Sequence, residues 1–135
     1  MAAVMKESYI NADIIDSSAA DVISAGDFEK KRVCTQFPYG WECTKGEGKL
    51  EIKAEFQNLG ILYFATTNGL GGQYDVYVDG EYAGTINADF SGGWGNDIKA
   101  KQVYTSDSLA EHTITIKKSP DSTGDLFDLL GLLVS

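Results

Sequence analysis

Trp94 lies in Phe90-Ser-Gly-Gly-Trp-Gly-Asn-Asp97, where three glycines surround a single indole. So little neighbouring side chain leaves the ring to be presented to water. Trp41 and Tyr39 fall within Phe37-Pro-Tyr-Gly-Trp41, between Cys34 and Cys43. A rigid aromatic ring stacks on an apolar surface at low entropic cost. Amides and a carboxylate accompany the rings: Asn68 and Gln73 in Thr67-Asn-Gly-Leu-Gly-Gly-Gln73, then Asn96 and Asp97. Carboxamides donate and accept, and a carboxylate accepts. Flat rings beside such groups suit a ligand with C–H faces and hydroxyl edges, which is the surface of a sugar ring. Each residue also has a plainer reading. Trp41 and Tyr39 can plug the core, Trp94 can fold back as its lid, and Asn96 and Asp97 can cap their own turn.

Other chemistries find less support. The glycine-rich segment ending at Gln73 precedes a strand pattern instead of a helix, so the donor-rich helix terminus of a phosphate loop is missing. His112 is the only histidine and alternates with Ile114 and Ile116, which reads as a packed, hydrogen-bonded strand residue. No Gly-x-Ser-x-Gly elbow occurs. Glu51 and Glu55 project from the polar side of an alternating strand, the solvated role, and not as a catalytic carboxylate pair. Cys34 and Cys43 with one distant His112 do not make a zinc set. Their spacing across a short hairpin suits a disulfide, which would pre-organise the aromatics between them; two free thiols are the alternative. Asp121, Asp125 and Asp128, or Asp89 and Asp97, offer oxygens to a structural calcium, but no EF-hand spacing occurs and no ligand set is assigned. No cofactor is required by anything in the sequence.

The 135 residues carry 20 acidic and 11 basic side chains, a net charge of −9. That balance argues against nucleic acid or an anionic membrane as partner, since both need a basic face. The length suits one domain spanning residues 1–135. No targeting segment is evident at the start, and the apolar stretch from Leu126 to Val134 contains Asp128 and is far shorter than the roughly 20 residues of a membrane helix. We read the chain as a module of a larger protein, with Met1 added at its start.

Strand patterns dominate. Lys49 to Phe56 alternates strictly, with Leu50, Ile52, Ala54 and Phe56 on one side. Ile61 to Thr66, Tyr74 to Asp79, Tyr82 to Asn87, Lys101 to Thr105, His112 to Lys118 and Leu126 to Val134 read as further strands, with Asp79-Gly80 as a hairpin turn. Ser8 to Ile15 and Asp21 to Ala25 read as strands upstream, with a helix over Ser17 to Lys31 as a weaker alternative. The expectation is an all-β antiparallel sandwich. Counting alternate ends puts the short connectors at Gln57 to Gly60, Asp79 to Glu81 and Ser106 to Glu111 at one pole. Phe37 to Gly48, Thr67 to Gln73, Ala88 to Ile98 and Ser119 to Asp125 then share the other, which gathers both tryptophans.

From about Gly26 onward the chain resembles the jelly-roll, galactose-binding-like carbohydrate-binding modules. The resemblance rests on Tyr74-Asp-Val-Tyr-Val-Asp-Gly-Glu81, on Leu109-Ala-Glu-His-Thr-Ile-Thr-Ile116, on the closing strand to Val134 and on Ser24-Ala-Gly-Asp-Phe28. Such modules occur beside plant-cell-wall glycoside hydrolases and SGNH carbohydrate esterases; Gly124-Asp125-Leu126 is not the serine-bearing motif of the esterase domain itself. Some relatives bear no sugar site, and jelly-roll modules often hold a calcium. The resemblance implies a non-catalytic, extracellular module of a bacterial protein, covalently linked to a catalytic domain and binding a polysaccharide. Lys45 is the only cation of the site-bearing loops, which favours neutral glycans such as β-glucan, xyloglucan or xylan. The expected site is Tyr39, Trp41, Asn68, Gln73, Trp94, Asn96 and Asp97. A structural or protein-interaction sandwich is the second reading and a hydrolase the third.

Overall fold

The computed structural model describes residues 13–15, 21–26, 28–31, 40–44, 49–65, 71–89, 97–122 and 124–135. Among them every regular element is a strand: β1 (Asp13–Ile15), β2 (Asp21–Ser24), β3 (Glu29–Lys31), β4 (Gly40–Cys43), β5 (Lys49–Ala65), β6 (Gln73–Val78), β7 (Glu81–Asn87), β8 (Asp97–Lys118) and β9 (Phe127–Val134). The weaker helix alternative over Ser17 to Lys31 is therefore corrected where the chain is described: β2 and β3 lie there, and Val22 pairs with Ile52.

All strand pairings between named elements are antiparallel, and hydrogen bonding runs through β3-β4-β9-β5-β8-β6-β7, with β1 on β9 and β2 on β5. Two layers result because the longest strands serve both. The first half of β5 pairs with β2 and with the end of β8, which in turn carries β6 and β7. The second half of β5 pairs with the start of β8 and with β9, which carries β4. The faces meet across the core, where the Tyr74 ring of β6 stacks on Phe127 of β9 at 4.7 Å between centroids.

The expected turns at 57–60 and 106–111 are corrected by this arrangement. Both segments are strand, and the register jumps from Phe56↔Ala110 to Asn58↔Thr105. Four residues of β8 thus face one of β5, a bulge that bends the pair. The polar residues that read as turn formers fasten this corner. Gln57 Nε2 donates to the Ser106 carbonyl at 3.0 Å, and the amides of Gln57 and Asn58 donate to the Ser135 carbonyl at 2.8 and 3.0 Å.

Alternation dictates which side chains enter the core. Leu50, Ile52 and Phe56 of β5 meet Tyr74 and Val76 of β6, Ile114 and Ile116 of β8, and Phe127, Leu129 and Leu132 of β9, all fully buried. Burial of each such side chain is worth about 1.5–3 kcal/mol. The chain end behaves differently: every residue of β9 is buried. Leu130 and Leu133 form a second cluster with Leu62 behind the main core, which is why the sequence there reads as continuously apolar.

Candidate functional site

The corner decides where the connectors go. Because β5 and β8 bend back on themselves, the two ends of their long ladder return to one rim. Short contacts among the described flanks show this. Gly71 bridges to Leu126, Gly72 N donates to the Leu126 carbonyl at 2.8 Å, and Ala88 N donates to the Gly72 carbonyl at 2.9 Å. Gln73 N donates to Ser122 Oγ at 2.8 Å, and Ser119 N donates to the Gln73 carbonyl at 2.9 Å. Ala65 faces Asp97 and Phe64 faces Asp128, so the second layer ends at the same place. The buried Tyr74 hydroxyl ties the rim to the layer beneath: it donates to the Asp125 carbonyl at 2.5 Å and lies 3.4 Å from Cys43 Sγ. Lys118 Nζ pairs with the Asp125 carboxylate at 2.9 Å. The described flanks of the expected connectors at 67–73, 88–98 and 119–125 therefore do share an end, although two of the turns used in the count are corners. The connector expected from Phe37 to Gly48 is corrected, because β4 lies inside it.

The expected site residues fare differently. Trp41 is corrected: only 1 % exposed, it belongs to the core and cannot offer its ring to a ligand. Its backbone pairs with Lys30 of β3 and Leu129 of β9, so it faces inward from an interior strand. Gln73 is half-buried, and its Nε2 donates to Asn87 Oδ1 at 2.7 Å. The Asp97 backbone opens β8 opposite Ala65. Tyr39, Asn68, Trp94 and Asn96 lie outside the described residues. Cys43 is fully buried and free among the described residues, and Cys34, the partner expected for it, lies outside them. Among the described residues no group of three or more His, Cys, Asp or Glu side chains is placed to hold a metal, and Asp121, Asp125 and Asp128 form no such group.

Sequence reasoning missed the outer face of the first layer. There Tyr77 and Tyr82 are cross-strand partners, packed edge to face at 5.9 Å, with Tyr82 60 % exposed. The signal was available, because Tyr77 alternates with inward Val76 and Val78. At one end of this face, His112 Nδ1 donates to Asp79 Oδ2 at 2.5 Å and Thr113 N donates to Asp79 Oδ1 at 2.9 Å. These two donors, His112 first, hold the Asp79 carboxyl below the usual carboxylate range. The His112 ring packs on Phe56 and Tyr104, as a structural strand residue would.

A folded-state pKa lowered in this way adds stability that is complete above the ordinary value of about 4 and fades as pH falls through the lowered one. Asp79→Asn, which keeps a residue tolerant of the φ of 53° found there, should melt below wild type at neutral pH. The two melting curves should converge as the pH falls below about 4. A gap that stays constant down to acid pH would show that the carboxylate charge is not what holds the turn.

No family model matches the chain, and no curated protein matches it. Solved structures do. A two-domain esterase active on acetylated mannans matches with TM-score 0.78 and 17% identity over 100% of this chain and 38% of that one. A family two carbohydrate esterase from Cellvibrio japonicus matches with TM-score 0.64 and 14% identity over 92% of this chain and 33% of that one. The CBM36-1 domain of a multidomain xylanase from the hindgut metagenome of Trinervitermes trinervoides matches with TM-score 0.61 and 15% identity over 93% of this chain and 97% of that domain. This chain thus spans 33–38% of the esterases and nearly the whole of the xylanase domain. Together with the all-strand, two-layer topology, these likenesses identify the fold as the jelly-roll β-sandwich of carbohydrate-binding modules and of the domains found in such esterases.

Proposed function

We propose that the chain is a non-catalytic carbohydrate-binding module of a secreted protein, holding a covalently linked catalytic domain on a neutral plant-cell-wall polysaccharide such as β-glucan, xyloglucan or xylan. The observation that carries this reading is that the described flanks of the glycine- and amide-rich connectors meet on one rim: Gly71 lies against Ala88, and Ala65 pairs with Asp97. The fold shared with a domain of a multidomain xylanase supports it. In this reading Trp94 stacks on a sugar ring while Asn68, Asn96 and Asp97 select hydroxyl geometry, with Tyr39 as a second ring. Affinity for any one site is roughly micromolar to millimolar, because sugar hydroxyls give up water for each new hydrogen bond. Tethering then raises the local concentration of substrate at the catalytic domain.

Affinity electrophoresis through gels containing each polysaccharide tests this. At least one glycan should retard the wild type, and Trp94→Ala should weaken retention about tenfold or more, as removal of an anchoring aromatic does. A Lys99→Ala control should migrate as wild type. The internal bonds of Gln73 and the burial of Trp41 favour a second reading, a structural or protein-interaction sandwich. Absence of retardation on every glycan would select it.

A further inference from the structure

The geometry points to a second saccharide site, separate from the rim, in the groove across the outer face of the first layer. The groove encloses about 440 Å³, within the range of about 300–1,000 Å³ typical of small-molecule sites. It crosses the strands in register: Tyr77 of β6 faces Thr115 of β8, and Thr115 faces Glu51 of β5; Tyr82 of β7 stands opposite Tyr77, beyond the groove. Two inter-strand spacings make this row roughly 10 Å long, which suits a short oligosaccharide laid across the sheet. The turn at Asp79-Gly80 borders one end. It is pinned there by the His112 and Thr113 donors to Asp79.

The lining sets the ligand class. Lys117 Nζ lies 4.9 Å from the centre of the Tyr77 ring. Lys117 also stands directly opposite Lys49, and both line the groove. Neither ammonium makes a hydrogen bond among the described residues, though Lys49 approaches Glu51 at 3.8 Å. Glu51 and Asp79 balance these two charges, and Asp75, held by Thr85 Oγ1 at 2.7 Å, adds a further acid beside Lys117. A uronate or phosphate would meet as much negative charge as positive. A neutral sugar chain finds donors in the lysines and Thr113, acceptors in the carboxylates, and an aromatic ring at Tyr77.

Amide NMR titrations with cellohexaose, xylohexaose and mannopentaose, each taken to millimolar concentration, test the site. At least one should shift the amides of Tyr77, Gly80, Thr113 and Thr115 together, with saturation. Tyr77→Ala should weaken that response about tenfold. Thr115→Tyr, which suits a strand and fills the groove, should abolish it. Trp94→Ala should leave it unchanged. The site is overturned if no probe moves these amides, if Thr115→Tyr leaves the response intact, or if Trp94→Ala removes it while the protein stays folded. The rim and the groove fail separately: a rim response without a groove response refutes only the second site.

Discussion

Trp41→Ala should cost the protein its stability and not its affinity. The indole is 1 % exposed in the main apolar cluster, on a strand flanked by β3 and β9. Removing a ring of this size from a packed interior costs about 3–5 kcal/mol, the lost transfer energy plus the cavity left behind. That is a large fraction of the 5–15 kcal/mol that holds a typical domain together. Urea denaturation should show the midpoint falling with little change in slope. Affinity per folded molecule, measured well below the midpoint, should match wild type. A variant that keeps its stability but loses glycan retention would return Trp41 to the binding surface.

Gly71→Ala should be nearly as damaging, for a different reason. A β-carbon at position 71 would sit 2.2 Å from the Ala88 carbonyl oxygen, 2.5 Å from its carbon and 2.8 Å from Asp89 N. These are backbone atoms of a strand end, so they cannot swing aside as a long side chain would. Relief requires the approach of Gly71 to Ala88 to open, and with it the hydrogen bond from Ala88 N to the Gly72 carbonyl. The expected cost is at the upper end of the 1–3 kcal/mol seen for overpacking. That is a fall of roughly 10 °C in melting temperature. Because the rim is what moves, glycan retention should weaken as well. Gly84→Ala is the matched control, since its β-carbon would meet only the Val103 side chain, at 3.4 Å from Cγ1 and 3.8 Å from Cβ, and should cost little. Equal melting of the two variants would remove the close approach from the account of the rim.

What the sequence disclosed follows from how local each signal is. The alternation from Lys49 to Phe56, the Asp79-Gly80 turn and the pairing of His112 with inward isoleucines depend on near neighbours, and the structure bears all three out. β3 and β4 did not stand out, because segments of 3 and 4 residues are too short for a period to show. The corner was misread because Gln57, Asn58, Ser106 and Asp107 are turn-forming types. Only the distant Ser135 reveals that they fasten a bend between layers. The count of loop ends survived this error for the described flanks of three connectors, since a strand that bends from one layer to the other reverses direction as a turn would. It missed β4, which lies inside the connector expected from Phe37 to Gly48. Trp41 was misplaced because its burial depends on β9, whose first residue is 86 positions along the chain. The groove was overlooked because each of its residues, taken alone, is an ordinary outward strand residue. Only the lateral register sets Tyr77 beside Thr115 and Glu51.

The burial of Trp41 makes Trp94 accessible to a direct measurement. In Trp41→Phe, a substitution that keeps most of the buried ring, Trp94 is the sole remaining indole. Its fluorescence should be followed while oligosaccharides of xylan, xyloglucan and β-glucan are added in turn. The account predicts that emission of free protein is that of a water-exposed indole and shifts to the blue, with saturation, on adding at least one of them. Emission already blue in the free protein, or unmoved by all three, would contradict it.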